Sequence, residues 1–439
     1  MLPQSKKPTI WSRLPALHYR DYRLLWIGLF VSTIGSQMQF TAVNWHVYEL
    51  LRGQTYTINL FGRAIDLGAE ALGLGTLGLV RVIPIILFAL AGGLLADTRD
   101  RRKLLIWTQV ASTILAGLLA FLTLTGTVTI PLIYFLTAAL AGVAAFEQPS
   151  RQSLIPHLVS REDFANAVSL NTLMFTGASV LGPALGGIVL AYFGVGSVYM
   201  ANAVSFLAIL ISLTLLQYRG HAAVSSAGLG LGALLDGLRF TFRTPMIWST
   251  MLLDFLATFF SSARTMLPIV AGDILGLGPV GYGWLSAAQP IGSIVAGSMT
   301  ALNSNMKRQG AVLLVSVLIY GAATALFGLT ASFILAFFFL ALTGAADTVS
   351  TVIRATLRQL MTPDELRGRM TSVNMVFFMG GPQLGELEAG LVAAAFGVPF
   401  AIVSGGIATV VLTLLIAWKY PVLRQFDSPV AEPVGATAA

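Results

Sequence analysis

Long apolar stretches separated by short polar segments run through nearly the whole chain. Because a helix needs about 20 mainly apolar residues to cross a bilayer, the pattern predicts an all-α membrane protein with about twelve transmembrane helices. A longer polar segment, 218–245, divides the predicted spans into six and six. The predicted spans lie at 24–50, 76–96, 104–125, 130–148, 166–192, 198–217, 246–272, 282–301, 310–329, 332–352, 372–395 and 398–418.

This division also predicts the domains. We expect a cytoplasmic N-terminal segment, a first six-helix bundle, a cytoplasmic linker, a second six-helix bundle and a cytoplasmic tail. Their predicted bounds are 1–23, 24–217, 218–245, 246–420 and 421–439. The basic N-terminus is not followed by a small-residue cleavage site, so we expect no removable signal peptide.

Basic residues concentrate in the loops on one side of the predicted bundle. If the N-terminus is cytoplasmic, the outer loops hold only Arg52 and Arg63 among the Lys and Arg residues. Because such a bias sets the orientation of membrane proteins, we expect both termini in the cytoplasm of a bacterium and the chain in its inner membrane. The bias also explains the pI of about 9.8 without nucleic acid as a partner.

Composition supports the same class and excludes others. Hydrophobic residues make up 56% of the chain and charged residues 10%, against about 25% charged in soluble proteins. The chain has no cysteine and four scattered histidines, so it offers no disulfide and no ligand spacing for a metal. We find no nucleophile–base pair or phosphate-binding loop, and expect neither an enzyme nor a cofactor.

Two copies of one pattern occupy the two halves. Residues 151–154 (RQSL) are echoed by 354–357 (RATL), and 182–187 (GPALGG) by 381–386 (GPQLGE). The repeat predicts two pseudo-symmetric six-helix bundles, the architecture in which a midplane cavity opens to either side in turn.

The loop after the second span carries a distinctive motif, GGLLADTRDRRK at 92–103. It resembles the cytoplasmic loop that follows the second helix of major facilitator transporters. Stretches at 96–105, 147–171 and 281–297 resemble the branch of that superfamily that exports siderophores and drugs. The resemblance covers roughly 20–420 and implies the major facilitator fold. Asp100 departs from the motif, which usually has Gly there.

The resemblance also implies a conformational gate. Asp97 is expected to lie against the N-terminus of span 11, near Thr371 and Ser372, where the helix dipole favours an anion. Arg151 and Arg354 are expected to pair with Glu147 and Asp347 between the domains, unless those acids are simply solvated. The predicted gate residues are Gly93, Asp97, Arg101, Arg102, Arg151 and Arg354.

Residues 178–187, ASVLGPALGG, resemble a stretch in span 5 of the superfamily's antiporters. Gly182, Gly186 and Gly187 would let another helix approach closely, while Pro183 would bend the span. The resemblance implies export by antiport. The alternative is a generic tight helix crossing.

Ionisable residues inside the spans are the candidates for a proton and substrate pathway, because each costs about 2.5–3.5 kcal/mol at the bilayer centre. Asp254, near the middle of span 7, is predicted to be a proton or substrate-cation site; the alternative is a buried acid bonded to Ser or Thr hydroxyls. Arg264 would attract an anionic substrate or else pair structurally. The ionisable candidates are Asp254, Glu386, Glu388, Arg81 and Arg264, and the neutral Gln37 is a polar candidate for the same pathway.

Glu386 and Glu388 are about 200° apart around their helix, so both cannot face a cavity. We expect one of them to pair with Arg81 and the other to titrate, without an assignment. Gln37 is the best cavity candidate among the polar residues of span 1, although such residues more often bond to neighbouring helices. The outer loop Arg52–Gly75 is either a lid, a lateral helix or a passive insertion.

The predicted function is secondary active transport: proton-coupled export, by antiport and rocker-switch alternating access, of a small amphipathic compound such as a siderophore or a drug. The expected partners are a small-molecule substrate, protons and the lipid bilayer, and the expected state is a monomer. An importer on the same fold, or a lipid-moving or non-transporting membrane partner, are the alternatives.

Overall fold

A computed structural model describes residues 14–60, 63–98, 100–218, 238–302, 306–363 and 366–427. Most of the predicted linker 218–245 and of the tail 421–439 therefore lies outside the described residues, as does most of the N-terminal segment.

Helices account for nearly all of the described chain. The long ones are α1 (Arg20–Leu51), α2 (Ala69–Thr98), α3 (Arg101–Leu124), α4 (Ile130–Leu154), α5 (Phe164–Leu215), α6 (Pro245–Phe260), α7 (Gly278–Leu302), α8 (Gln309–Leu329), α9 (Phe333–Met361), α10 (Arg367–Phe396) and α11 (Val398–Lys419). Short helical turns lie at Pro15–His18, Ile155–His157 and 238–243, and a short helix, α12, at Pro421–Gln425.

These helices correspond to the twelve predicted spans. The 52-residue α5 contains two of them, because Gly194 interrupts it with φ 76°, a left-handed conformation that glycine adopts without strain. By length and composition, eight of the described helices, α5 among them, are apolar enough to cross a membrane. The remaining spans are α1, α7 and α10, whose sequences are less apolar.

The chain forms two compact units. The first comprises the described residues of Met1–Leu50, Val80–Ala227 and Gly278–Ala287. Its core includes Tyr22, Leu105 and Leu154, all at most 1% exposed.

The second unit comprises the described residues of Leu51–Leu79, Gly228–Leu277 and Ala288–Ala439. Ile247 and Leu313 lie in its core, both fully buried. Each unit thus holds most of one predicted half and a short piece of the other.

The outer loop of the first half forms a β-hairpin. Strands β1 (Thr55–Leu60) and β2 (Arg63–Gly68) pair antiparallel, with Thr55 opposite Gly68 and Leu60 opposite Arg63. The possibility of a lateral helix was wrong, because the sequence TYTINL is rich in β-branched and aromatic residues that favour a strand. We call the side of the fold that carries this hairpin the hairpin side, and the side of residues 98–103 the basic side.

The seventh predicted span is not one continuous helix. α6 ends at Phe260, and a 3-10 turn (Ala263–Met266), a short helical turn (Leu267–Ile269) and a π-helical turn (Val270–Ile274) follow. The expectation of a continuous helix over 246–272 was therefore wrong. Arg264 lies in the 3-10 turn immediately after the break.

Neighbouring helices explain the break. The hydroxyls of Ser261 and Thr409 in α11 are 2.7 Å apart, so the break has a side-chain partner inside the bundle. Gly385 and Gly405 bring α10 and α11 close to the carbonyls of Phe259 and Phe260. Serine hydroxyls that hydrogen-bond to nearby backbone groups compete with the backbone hydrogen bonds of a helix. Here the packing of α10 and α11 against the end of α6 fixes the position of the break.

Candidate functional site

A buried ionic cluster joins α6 and α9 in the second unit. The Nη2 atom of Arg354 is 2.8 Å from Oδ1 of Asp254 and 3.7 Å from Oδ1 of Asp347. The Arg354 side chain is 3% exposed and that of Asp254 10%, whereas that of Asp347 is 41% exposed. One guanidinium therefore serves two carboxylates of unequal distance and exposure, and Arg358, one turn further along α9, also interacts electrostatically with Arg354 and Asp254.

The helical repeat of α9 builds most of this cluster. Its members in α9 are three, one and three residues apart, so they share one face of the helix. They are Asp347, Ser350, Thr351 and Arg354. Nη2 of Arg354 also donates a hydrogen bond of 2.9 Å to Oγ1 of Thr351. This bond orients the guanidinium toward α6, which contributes Asp254.

The cluster lines a small cavity of about 10 Å³, which is space for about one water molecule. Thr258, Tyr320 and Ser350 add hydroxyls to its wall, and the remaining wall is apolar. Ser350 is 1% exposed, and its Oγ has no hydrogen-bond partner among the described residues. Since a buried hydroxyl normally has a partner, the polar atoms of this cavity are suited to a bound water molecule.

In the structure, Asp254 pairs with Arg354, an arginine that was expected to form an ion pair between the domains. The hydroxyl of Thr258 donates to the backbone carbonyl of Asp254, not to its carboxylate, and the carboxylate meets Arg354. The ion pair of Arg354 with Asp347 lies within α9, which corrects the expected pairing between domains.

Arg151, at the matching position of the first half, has a simpler environment. Its guanidinium lies 3.8 Å from the carboxylate of Glu147 in the same helix and donates to Oε1 of Gln148 at 2.8 Å. Among the described ion pairs, it has no second carboxylate partner. Its guanidinium also lies 4.4 Å from the ring centre of Phe175. This ion pair, too, lies within one helix rather than between the domains. Among the described ion pairs, Arg151 therefore has one acidic partner, whereas Arg354 has two.

The motif after the second span ties helices of the first unit together on the basic side. Arg101 donates to the carbonyl of Ser153 at 3.2 Å and contacts Nε2 of His157 at 2.7 Å. Arg102 donates to the carbonyls of Leu213 at 2.8 Å and Thr214 at 3.0 Å. The two arginines therefore satisfy carbonyls at the ends of α4 and α5, where the helix dipole favours a cation.

Asp100, which departs from the superfamily's motif, caps α3. Its Oδ1 accepts hydrogen bonds from the backbone N–H groups of Arg102 at 3.0 Å and Lys103 at 3.2 Å. This role was not predicted from the sequence, although an Asp directly before an apolar run is a recognised N-cap signal.

The other half of the predicted gate is outside the described side chains. α2 runs through Gly93 and Asp97 to Thr98, but the side chains of Asp97 and Ser372 are among those that the structure does not describe. The expected contact of Asp97 with the N-terminus of α10 remains a prediction.

The glycines of 182–187 lie at two close helix crossings within the first unit. A Cβ on Gly182 would lie 2.3 Å from Cβ of Gln37 in α1, and a Cβ on Gly187 would lie 2.9 Å from the Cα of Gly283 in α7. Gly186 faces Met38, and Pro183 lies between these contacts. Gln37 therefore lies at a helix crossing. Export by antiport, which the motif implies, stays a prediction.

Other polar residues of α1 bond to neighbouring helices. Nη2 of Arg81 donates to Oδ1 of Asn44 at 2.7 Å, and its guanidinium lies 4.0 Å from the ring centre of Phe40. Nδ2 of Asn202 donates to Oε1 of Gln39 at 2.6 Å. Asn44 and Gln39 of α1 therefore bond to residues of neighbouring helices.

The two glutamates of α10 differ in burial. Glu386 is 8% exposed and lies beside Gly78 of α2, one turn before Arg81, whereas Glu388 is half-buried. The difference favours Glu386 as the glutamate that faces α2. The pairing of either glutamate with Arg81 stays a prediction.

Twelve helical segments, two related halves and a buried charge cluster beside a pocket define a multi-pass membrane transporter. The chain belongs to the transmembrane secretion effector family, which matches it over residues 11–434. Because that family consists of transporters, the expectation that the chain is not an enzyme is confirmed.

Known relatives agree with this assignment. The chain is 28% identical over 428 residues to the enterobactin exporter EntS of Citrobacter koseri, covering 94% of this chain and 95% of the relative. It is 26% identical over 417 residues to EntS of Shigella boydii, covering 92% and 93%.

Solved structures confirm the fold. The nucleoside transporter NupG matches with a TM-score of 0.71 at 13% identity, over 91% of this chain and all of the other. A bacterial homologue of the iron transporter ferroportin matches with a TM-score of 0.68 at 16% identity, over 91% and 98%. The major facilitator fold, with twelve transmembrane helices in two six-helix bundles, is therefore confirmed.

Proposed function

We propose that this transporter is a proton-coupled exporter of a small amphipathic compound such as a siderophore or a drug. We place it in the bacterial inner membrane as a monomer, with its basic side and both termini in the cytoplasm. The observation that carries the proposal is the buried cluster in which Asp254 and Asp347 share Arg354 beside a pocket. Relatives that are named for enterobactin export support the direction.

The unequal geometry of the cluster supports Asp347 as the acid that carries the proton. Asp254 is closer to Arg354 and almost fully buried, so its charge is compensated in place. Asp347 is farther from the guanidinium and more exposed, so a proton reaches it more easily. Protonated Asp347 leaves Asp254 and Arg354 as a neutral pair, whereas ionised Asp347 adds a second carboxylate beside that pair, and this charge costs more when water is excluded.

This difference couples the proton to the conformation. A state that closes the pocket to water stabilises the neutral cluster, and a state that opens it to water tolerates the charged one. Protonation therefore shifts the equilibrium between the two states. The size of the shift is the difference between the free energies of protonation in those states. A substrate that enters the cavity when the acid is ionised completes an exchange cycle.

The remaining predicted site residues would act around this cluster. The gate residues Gly93, Asp97, Arg101 and Arg102 would bias the equilibrium on the basic side. Arg81 with Glu386 or Glu388 would form a second ionisable group, and Arg264 would attract an anionic part of the substrate. The glycine crossings around Pro183 would provide the tight packing associated with antiport.

Reconstituted protein tests the proposal. Proteoliposomes with an imposed pH difference would be assayed for transport of a catecholate siderophore and of cationic dyes, and for proton flux with a trapped pH-sensitive dye. We expect substrate to move against its gradient only when protons move the other way. Solute flux that ignores the pH difference would refute proton coupling, and co-transport in the same direction would indicate an importer.

Variants locate the coupling group. Asp347→Asn mimics the protonated cluster, so we expect it to retain exchange of substrate across the bilayer but to lose accumulation driven by the pH difference. Glu147→Gln, which alters the matching acid of the first half, is the control and is expected to retain coupling. Equal coupling in Asp347→Asn and the unaltered protein would contradict the assignment.

A further inference from the structure

The cavity beside the ionic cluster lies wholly within the second compact unit and has the space of one water molecule. Its volume is about 10 Å³, and acidic, hydroxyl and apolar side chains line it. A small apolar cavity stays empty, whereas a cavity of this size holds a water molecule when about two to four polar groups face it. Asp254, Asp347, Ser350 and Tyr320 are among the lining residues. The lining therefore meets the requirement for one bound water molecule.

Ser350 presents an uncommitted hydroxyl to this cavity. Its side chain is 1% exposed, and Oγ makes no hydrogen bond to any other described residue. A buried serine hydroxyl in a helix commonly bonds back to a carbonyl of the preceding turn, as Ser249 of α6 does to Met246 at 3.0 Å. Because Ser350 makes no such bond, its hydroxyl is available to a molecule in the cavity.

The repeat between the two halves explains why space is left at this place. Glu147 and Ser350 each precede a buried arginine, Arg151 or Arg354, by four residues. In the first half, the long glutamate side chain reaches to 3.8 Å from its arginine. The serine at the matching position of the second half is much shorter. Since protein interiors are otherwise closely packed, the shorter side chain leaves a gap beside Arg354.

We propose that Ser350 is a positioning residue, which holds a water molecule in this cavity when the site is closed to bulk water. We call this molecule the cavity water. It accepts a hydrogen bond from Ser350 and donates one to the carboxylate of Asp347. A hydrogen bond to the charged form of an acid favours that form, so the cavity water reduces the cost of an ionised Asp347 in the closed state. Ser350 thereby sets the strength of proton coupling, and the inference rests on the proposed role of Asp347.

Three other helices and α9 itself supply the groups that face Asp347. α6 contributes Asp254 and α8 contributes Tyr320. α9 contributes Arg354, at 3.7 Å, and Arg358, which interacts electrostatically with Arg354 and Asp254. α7 also packs against α9 and carries no charged residue. The variants proposed below alter none of these groups, so any change in pH dependence is assigned to the cavity water.

Stability provides a test that does not depend on transport. Burial of a hydroxyl without a hydrogen-bond partner destabilises a folded protein. If the cavity held no water, Ser350→Ala would therefore raise the SDS fraction at the midpoint of unfolding. We expect the opposite, a lower midpoint, because the substitution removes a hydrogen bond to the cavity water. A raised midpoint would overturn the proposal.

The pH dependence of transport tests the role of the cavity water in coupling. We expect Ser350→Ala to retain substrate exchange across the bilayer, since both carboxylates remain. Ionised Asp347 then costs more, so the pH at which driven transport is half-maximal should rise by up to about one pH unit, the equivalent of one hydrogen bond. Ser249→Ala removes a buried hydroxyl that bonds to its own helix, and this control should leave the pH midpoint unchanged.

A second variant removes the cavity water without altering any polar group. Ala346 lies one turn before Ser350 and also lines the cavity. Ala346→Val fills the space, and we expect it to raise the pH midpoint as Ser350→Ala does. The double variant should show no larger shift than either single variant, because both act on one molecule. Shifts that add in the double variant would contradict a single cavity water.

The inference and the proposed function fail in different ways. Transport by the unaltered protein that ignores pH would refute proton coupling, and the unfolding of Ser350→Ala would still decide whether Ser350 holds a water molecule. Transport that depends on pH, with the same midpoint in Ser350→Ala and the unaltered protein, would refute the role of Ser350 and leave that of Asp347 intact.

Discussion

Because Arg354 compensates two carboxylates, its removal should lower the free energy of unfolding. A second substitution should restore part of that loss. Arg354→Met keeps most of the side-chain volume and removes the charge. Asp254 is then left buried without its partner at 2.8 Å. Loss of one partner of a buried pair costs about 3–5 kcal/mol, and we apply this figure to Asp254 alone, because Asp347 is 41% exposed and its longer contact is screened.

Asp254→Asn in the Arg354→Met background should recover at least half of that loss. The amide removes the uncompensated charge. Burial of this side chain then costs the free energy of burying a neutral polar group instead of an ion. Each variant would be unfolded by SDS titration in mixed micelles, with the fluorescence of the seven tryptophans as the signal. The four proteins form a double-mutant cycle, which isolates the coupling between the two side chains.

The matching arginine of the first half supplies the control. Arg151→Met leaves Glu147, which is 19% exposed, so Asp254→Asn should give no recovery in that background. Arg354→Met that unfolds like the unaltered protein, or Asp254→Asn that restores both backgrounds equally, would refute the reasoning.

Three further variants probe the helix ends and crossings. Asp100→Ala should lower the free energy of unfolding by about 0.5–2 kcal/mol through loss of the α3 N-cap, while Asp100→Ser retains most of it; SDS titration measures both, and equal losses would contradict the cap. Gly182→Val should prevent folding, because its Cβ would meet that of Gln37 at 2.3 Å, whereas Gly117→Val should fold normally as judged by size-exclusion chromatography. Asp97→Asn should slow transport in proteoliposomes while expression stays near normal, and an unchanged transport rate would count against the gate.

The sequence was sufficient for the features that depend on residues close together in the chain. Apolar runs long enough for a bilayer predicted the twelve spans, and the RQSL–RATL repeat singled out Arg151 and Arg354 in advance. Both arginines are buried, at 5% and 3% exposure. Both arginines follow the apolar run of their predicted span by two or three residues, so the signal was a basic residue repeated at the same place in each half.

Features that depend on distant residues could not be predicted. The contact between Asp254 and Arg354 joins residues 100 positions apart, and nothing near either residue indicates the other. The break after Phe260 depends on Gly385 and Gly405, whose helices lie more than a hundred residues later in the chain. The hairpin is the exception, since the alternation in TYTINL was a local signal, obscured by the leucines and isoleucines that an amphipathic helix would also contain.

The break in the seventh span separates two acids that belong to different ion pairs. Asp254 lies in α6 before the break and pairs with Arg354, whereas Asp273 lies in the π-helical turn after the break and pairs with Arg52. Ser261, whose hydroxyl is 2.7 Å from that of Thr409, lies at the break between them. Because no continuous helical hydrogen-bond ladder joins the two acids, a displacement of Asp254 need not move Asp273 by the same amount.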